Sequence, residues 1–216
     1  MESTAPMSIR LHRGDLVDLS RYTPENAPFV AIDTETLGLN PHRDRLCVVQ
    51  LSPGDGTADV VQIPAGAGPG SAPNLEKLLT DPRSVKLFHF ARFDVAVLGK
   101  TFGLTVSPVW CTEIASRLTR TYTDRHGLKE LVRELLGIDL SKQQQSSDWA
   151  AEELSDAQLQ YAASDVLHLH ALQTRLEAML AREARTDLAQ SCFEFLPTRA
   201  RLDLAGWPDE DIFAHT

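Results

Sequence analysis

Phe29-Val30-Ala31-Ile32-Asp33-Thr34-Glu35 is four apolar residues in a row followed by two carboxylates one residue apart. An apolar run of this length reads as a buried strand. Residues two apart on a strand project from the same face, so Asp33 and Glu35 leave one strand end together. Two carboxylates beside a buried strand need a cation or a hydrogen-bond network. The pair alone decides little, because a chain with 30 acidic residues contains several such pairs by chance.

Working outward, residues 29–35, 45–52 and 58–63 read as three successive strands rich in Val, Ile and Leu, separated by Gly, Pro, Asn and Asp turns. They predict an antiparallel meander. After a Gly- and Pro-rich loop, a helix is expected over 74–80 and a fourth strand over 85–90. A helix over 91–102 is stopped by Gly103 in the C-cap position. A short fifth strand at 109–111 precedes helices at 113–118 and 128–136, the second ended by Gly137. Ser155 to Gln158 forms a capping box, and from it one long helix is expected to run to Leu196, before Pro197. The order of elements predicts an α/β domain with a five-stranded mixed sheet and a long C-terminal helix.

Three further residues belong with the strand-end pair. Asp94 follows the apolar stretch Phe88 to Phe93, where a strand turns into a helix. Tyr161 and Asp165 stand four apart in a helical stretch and so share a face. Each has a plainer explanation by itself: Asp94 as a helix N-terminal acid favoured by the dipole, Tyr161 as a core residue, Asp165 as a surface acid. Together, four acids and a phenol suit two divalent cations beside a phosphodiester.

The 216 residues are 43% hydrophobic, enough for one substantial core, and one domain spanning 1–216 is expected. Residues 1–7 are expected to be a frayed extension. The segment 197–216 carries Leu202, Leu204, Trp207, Ile212 and Phe213, too apolar for a solvated linker, and is expected to dock. Cys47, Cys111 and Cys192 match no disulfide framework or metal spacing, which suits a reducing, cytoplasmic setting. Residues 1–10 have neither a basic segment nor an apolar run, so no secretory signal is expected, and no stretch approaches the apolar length of a membrane span. A net charge of -9 argues against a protein that grips long nucleic acids through a basic surface. Arg117, Arg120, Arg125, Lys129 and Arg133 form one locally basic region, which either attracts RNA or decorates exposed helices.

The segment Asp33-Thr34-Glu35-Thr36-Leu37-Gly38-Leu39, then Asp94, then Tyr161 with Asp165, resembles the three motifs of the DEDD exonucleases, in the branch with tyrosine in the third motif. Lys142 to Trp149 resembles the stretch before that motif in ribonuclease D. Residues 34–50, 119–129, 141–151 and 211–215 are similar to the nanoRNase C family of short bacterial exonucleases acting on dinucleotides. Two departures from ribonuclease D point the same way: no added helical RNA-binding domain is expected after the long helix, and Cys111 and Phe90 replace residues common in the larger enzymes.

The resemblance implies an RNase H-like exonuclease fold and two-metal-ion hydrolysis from the 3′ end, with Mg²⁺ or Mn²⁺ as cofactors. Asp33 would bridge both cations, Glu35, Asp94 and Asp165 would share the remaining coordination, and Tyr161 would orient the attacking water. For substrate it implies that Leu39 wedges between bases and that Thr36 and His89 meet the 3′ end, His89 as a donor. Lys142, Gln145, Ser146 and Ser147 offer hydrogen-bond groups to a phosphate, including a terminal 5′ phosphate. It also implies a homo-oligomer, an octamer. The expected substrate is RNA of two nucleotides, with a broader exonuclease on longer RNA or DNA as the alternative. A catalytically inactive nucleic-acid-binding scaffold is disfavoured because none of the four acids is missing.

Overall fold

The computed structural model describes residues 8–215 except Lys142 and Gln145. Six strands form one mixed sheet in the order β1-β4-β3-β2-β5-β6. They are β1 (Ile9–Arg13), β2 (Phe29–Thr36), β3 (Leu46–Ser52), β4 (Ala58–Gln62), β5 (Val85–Phe88) and β6 (Val109–Cys111). The expected meander is present, with β2 antiparallel to β3 and β3 to β4. β5 and β6 then add parallel to β2.

The expectation of five strands is corrected by β1, which pairs in parallel with β4 at the sheet edge. Its sequence alternates Ile and Leu with Arg and His, and its partner lies some 50 positions away, so no local hairpin signal marks it. Asp59 of β4 ties the edge to the chain that follows β1. Its buried carboxylate accepts hydrogen bonds from Tyr22 at 2.6 Å and from Arg21, and meets His12 at 2.8 Å.

The helices are α1 (Pro73–Thr80), α2 (Ala91–Phe102), α3 (Thr112–Thr119), α4 (Leu128–Leu131), α5 (Asp156–Leu167), α6 (Leu169–Arg182) and α7 (Thr186–Ala205). A π-helical stretch, Val132–Leu136, continues α4, and Gly137 at φ 73° ends it. The single long C-terminal helix expected from the sequence is three helices. Between α6 and α7, Ala184 adopts φ 54° and the Arg185 amide bonds back to the Leu180 carbonyl, the pattern of a helix C-cap. Alanine there instead of glycine hides the stop. Pro197 lies inside α7 rather than after a helix, and Leu196 and Ala200 on either side of it are buried.

All seven residues of β3 are buried, as expected of a central strand covered on both faces. α5 packs across β1 to β4, and α6 packs on β2 and β5. α2 packs on α7 and on β3, β5 and β6. Because β2, β5 and β6 run parallel, their C-terminal ends open at one edge of the sheet. The segments carrying Asp33, Glu35, His89, Asp94 and Thr112 all emerge there.

Candidate active site

At that edge lies an open cleft of about 690 Å³. Asp33, Glu35, Thr36, Leu39, His89, Asp94, Ser146, Ser147, Tyr161 and Asp165 all line it. Of the residues singled out from the sequence, Lys142 and Gln145 lie outside the described residues.

Asp33 and Glu35 project together, as the two-residue period of β2 requires. Asp165 approaches them from α5, whose start is fixed by the expected capping box. The Gln158 amide bonds Ser155 Oγ at 3.3 Å, and the Ser155 amide bonds Gln158 Oε1 at 3.0 Å. Carboxylate oxygens of Asp33, Glu35 and Asp165 lie within 4.8 Å of one another. Asp94, in the first turn of α2, is 4% exposed and accepts a 2.6 Å hydrogen bond from the Thr34 hydroxyl. Gln50, opposite Asp33 in the β2–β3 register, donates to Asp33 Oδ2 at 2.5 Å.

The electrostatics are those of crowded acids. Burial, and then the charges of Asp94, Asp165 and Glu35, hold the Asp33 carboxyl well above the usual range. Burial with Asp165 and Asp94 pushes Glu35 up to about 9. Asp94 is raised to about 7, chiefly by burial, although its hydrogen bonds pull the other way. Such a set releases its protons readily only when positive charge arrives. The donors are carboxylates alone, the ligand type that suits Mg²⁺ or Mn²⁺. Asp33, Glu35 and Asp165 could hold such an ion directly, with Asp94 beside them.

Tyr161 stacks obliquely on buried Trp149, with ring centroids 6.0 Å apart, and its phenol hydrogen-bonds Asp165. Burial, and then the nearby acids, raise the phenol further above its ordinary value. It stays protonated at neutral pH.

Leu39 is 86% exposed and takes no part in the core. It sits on a loop closed by the Leu37 amide on the Arg45 carbonyl at 3.1 Å. The Asn40 amide on Asp44 Oδ2 at 3.0 Å braces the loop from within. A Cβ at Gly38 would stand 2.4 Å from Asp44 Oδ2, so a side chain there would push this carboxylate off the Asn40 amide. The Thr36 hydroxyl donates to the Gly38 carbonyl at 2.6 Å, so its hydrogen holds this turn. Ser147 donates to Gln144 at 2.6 Å.

Both readings of Arg120 fail. It is fully buried, and its guanidinium donates to Ser116 Oγ, the Arg125 carbonyl and Glu134. Arg117 pairs with Glu113 one turn away. Of that basic group, only Lys129 lines the cleft. The sequence reading missed Gln50, Thr112 and Trp149. Strand register alone could have found Gln50; Trp149 lines the cleft and buried Thr112 stands behind it against His89, both through tertiary packing.

A family model for 3′-5′ exonucleases matches residues 16–181. The chain therefore belongs to the 3′-5′ exonuclease family, and its four acids make it one of the DEDD type. Within that family, the chain is 63% identical to Brucella melitensis NrnC with bound Mg²⁺, with a TM-score of 0.92 over 97% of this chain and 100% of that one. NrnC of the same organism bound to pGG is 64% identical, also at a TM-score of 0.92, over 97% of this chain and 100% of that chain. Ribonuclease D of Gluconacetobacter diazotrophicus is 37% identical over 164 residues, 76% of this chain and 41% of that protein. The chain thus spans about two-fifths of the length of the curated ribonucleases D it matches. The fold is that of the RNase H-like exonucleases.

Proposed function

We propose that this chain is a metal-dependent 3′-5′ exoribonuclease that hydrolyses very short RNAs, especially 5′-phosphorylated dinucleotides such as pGpG, to mononucleotides. The observation that carries this reading is the meeting of the Asp33, Glu35 and Asp165 carboxylates within 4.8 Å in a cleft that an exposed leucine overhangs. The similarity to an NrnC structure holding pGG supports the length of the substrate.

Asp33, Glu35, Asp94 and Asp165 would hold two divalent cations, Mg²⁺ or Mn²⁺, whose chemistry here is to activate water and offset charge on the phosphate. Asp33 would be held in common by them, since the other three acids crowd around its carboxylate. Thr34 and Gln50 fix the acids before substrate arrives, so little reorganisation remains for the reaction. Tyr161 keeps its proton and leaves its oxygen lone pairs to orient the attacking water, rather than acting as the base. Leu39 parts the two bases, Thr36 and His89 meet the 3′ end, and Ser146 and Ser147, with Lys142 and Gln145, receive the 5′ phosphate.

The wider reading includes a single exonuclease domain, a cytoplasmic location and an octameric assembly. The three free cysteines support the location. Exposed Trp207, Ile212 and Phe213 support the assembly, as apolar side chains left for a second copy to cover. Among the described residues, no helix is long and apolar enough to cross a membrane.

The test is a length series of 5′-phosphorylated RNAs from two nucleotides upward, with Mg²⁺ and with Mn²⁺. A sharp fall in rate beyond two nucleotides is expected. Equal rates along the series, or on DNA, would favour the broader exonuclease.

A further inference from the structure

His89 stands at the C-terminal end of β5 in the cleft, and its ring is held by a relay that fixes which nitrogen carries the proton. Thr112 Oγ1 lies 2.8 Å from His89 Nδ1 and 3.2 Å from the Phe88 carbonyl oxygen. A hydroxyl has one hydrogen, and a carbonyl can only accept. Thr112 therefore donates to Phe88, and His89 Nδ1–H donates to Thr112. The remaining nitrogen, Nε2, then carries a lone pair. It has no protein partner among the described residues and is not sealed from solvent. Burial lowers the ring to about 4, so the neutral form persists at neutral pH.

A neutral acceptor fixed beside acids that act on a nucleic-acid backbone is selective. Phosphate oxygens are acceptors and gain nothing from it, whereas ribose hydroxyls are the donors that every RNA backbone offers. We propose that His89 Nε2 accepts a hydrogen bond from a ribose hydroxyl of the 3′-terminal nucleotide, with Thr112 as the positioning residue that sets the acceptor tautomer. This rests on the exoribonuclease reading above and replaces the expectation that His89 is a donor. A 3′-terminal phosphate is disfavoured at this nitrogen.

The experiment compares an unmodified 5′-phosphorylated dinucleotide with versions lacking the terminal 2′ or 3′ hydroxyl, or carrying a terminal 3′ phosphate. Wild type, His89→Ala and Thr112→Val are assayed, and the His89 ring nitrogens of the full chain are read by ¹⁵N NMR without substrate. Wild type should lose about tenfold in kcat/KM when the bonded hydroxyl is absent, the size expected when an acceptor loses its partner. His89→Ala should show no such discrimination, and Thr112→Val should show less of it than wild type. An equal loss in wild type and His89→Ala, or no loss in wild type, would overturn the proposal. So would a proton on Nε2 in the NMR spectrum, a result that needs no turnover. Failure of wild type to cut the unmodified dinucleotide would instead count against the exoribonuclease reading.

Discussion

The Thr34 hydroxyl donates a 2.6 Å hydrogen bond to Asp94 Oδ1 across 60 positions of sequence. It joins the strand that carries Asp33 and Glu35 to the helix that carries the third acid. The bond is buried, so a missing hydroxyl cannot be replaced by bulk water.

Thr34→Val keeps the shape of the side chain and removes this donor. It should lower kcat by about tenfold, with most of the loss recovered as Mg²⁺ is raised, because Asp94 then wanders from its position. Steady-state kinetics against Mg²⁺ concentration tests this, and unchanged activity at low Mg²⁺ would contradict it.

The raised acids make stability depend on pH in a defined direction. Glu35 at about 9 and Asp94 at about 7 bind protons in the folded chain well above the ordinary carboxylate values of 4.5 and 3.8. Their contribution is fully present below those ordinary values and is lost as pH rises through 7 and then 9. Without divalent metal, Tm should therefore fall between pH 6 and pH 9. Glu35→Gln should flatten that fall, and Mg²⁺ should raise Tm most at the alkaline end. A thermal-melt series with chelator and with Mg²⁺ is the measurement.

Leu39 lends the empty protein almost nothing in stability. Leu39→Ala should change unfolding free energy by no more than about 0.5 kcal/mol, as for an exposed surface residue. KM for a dinucleotide should rise about tenfold, since a stacking partner of the bases is gone. Denaturant unfolding and initial rates separate the two effects.

Arg120 and Arg117 differ in the opposite sense. Removing the buried guanidinium in Arg120→Leu leaves Ser116, the Arg125 carbonyl and Glu134 without their donor, and should cost about 3 kcal/mol. Arg117→Ala loses only a surface pair with Glu113 and should cost about 0.5 kcal/mol or less. Urea unfolding of both variants measures the contrast.

Much of this was legible in the sequence because the strongest signals are local. The apolar run ending at Asp33 and Glu35, the four-residue spacing of Tyr161 and Asp165, and the Ser155 capping box each name an element and the face it presents. What escaped depends on partners distant in sequence. β1 exists because β4 lies beside it, and Arg120 is buried because Glu134 and the turn at Arg125 close over it. The helix break at Ala184 uses a left-handed residue that is not glycine, so its composition carries no stop signal. Gln50 meets Asp33 through strand register and Thr112 meets His89 from the first turn of α3, and neither contact leaves a motif.

The reaction proposed is cleavage of a phosphodiester by the acids meeting around Asp33 with metal bound. Its most direct test is hydrolysis of a 5′-phosphorylated RNA dinucleotide with Mg²⁺ by wild type and by Asp33→Asn and Asp165→Asn, with Tm measured on each. Wild type should release mononucleotides, while both variants should stay folded and lose at least about a thousandfold in rate, as expected when a group essential to transition-state charge stabilisation is removed. Normal turnover in either folded variant would contradict the assignment.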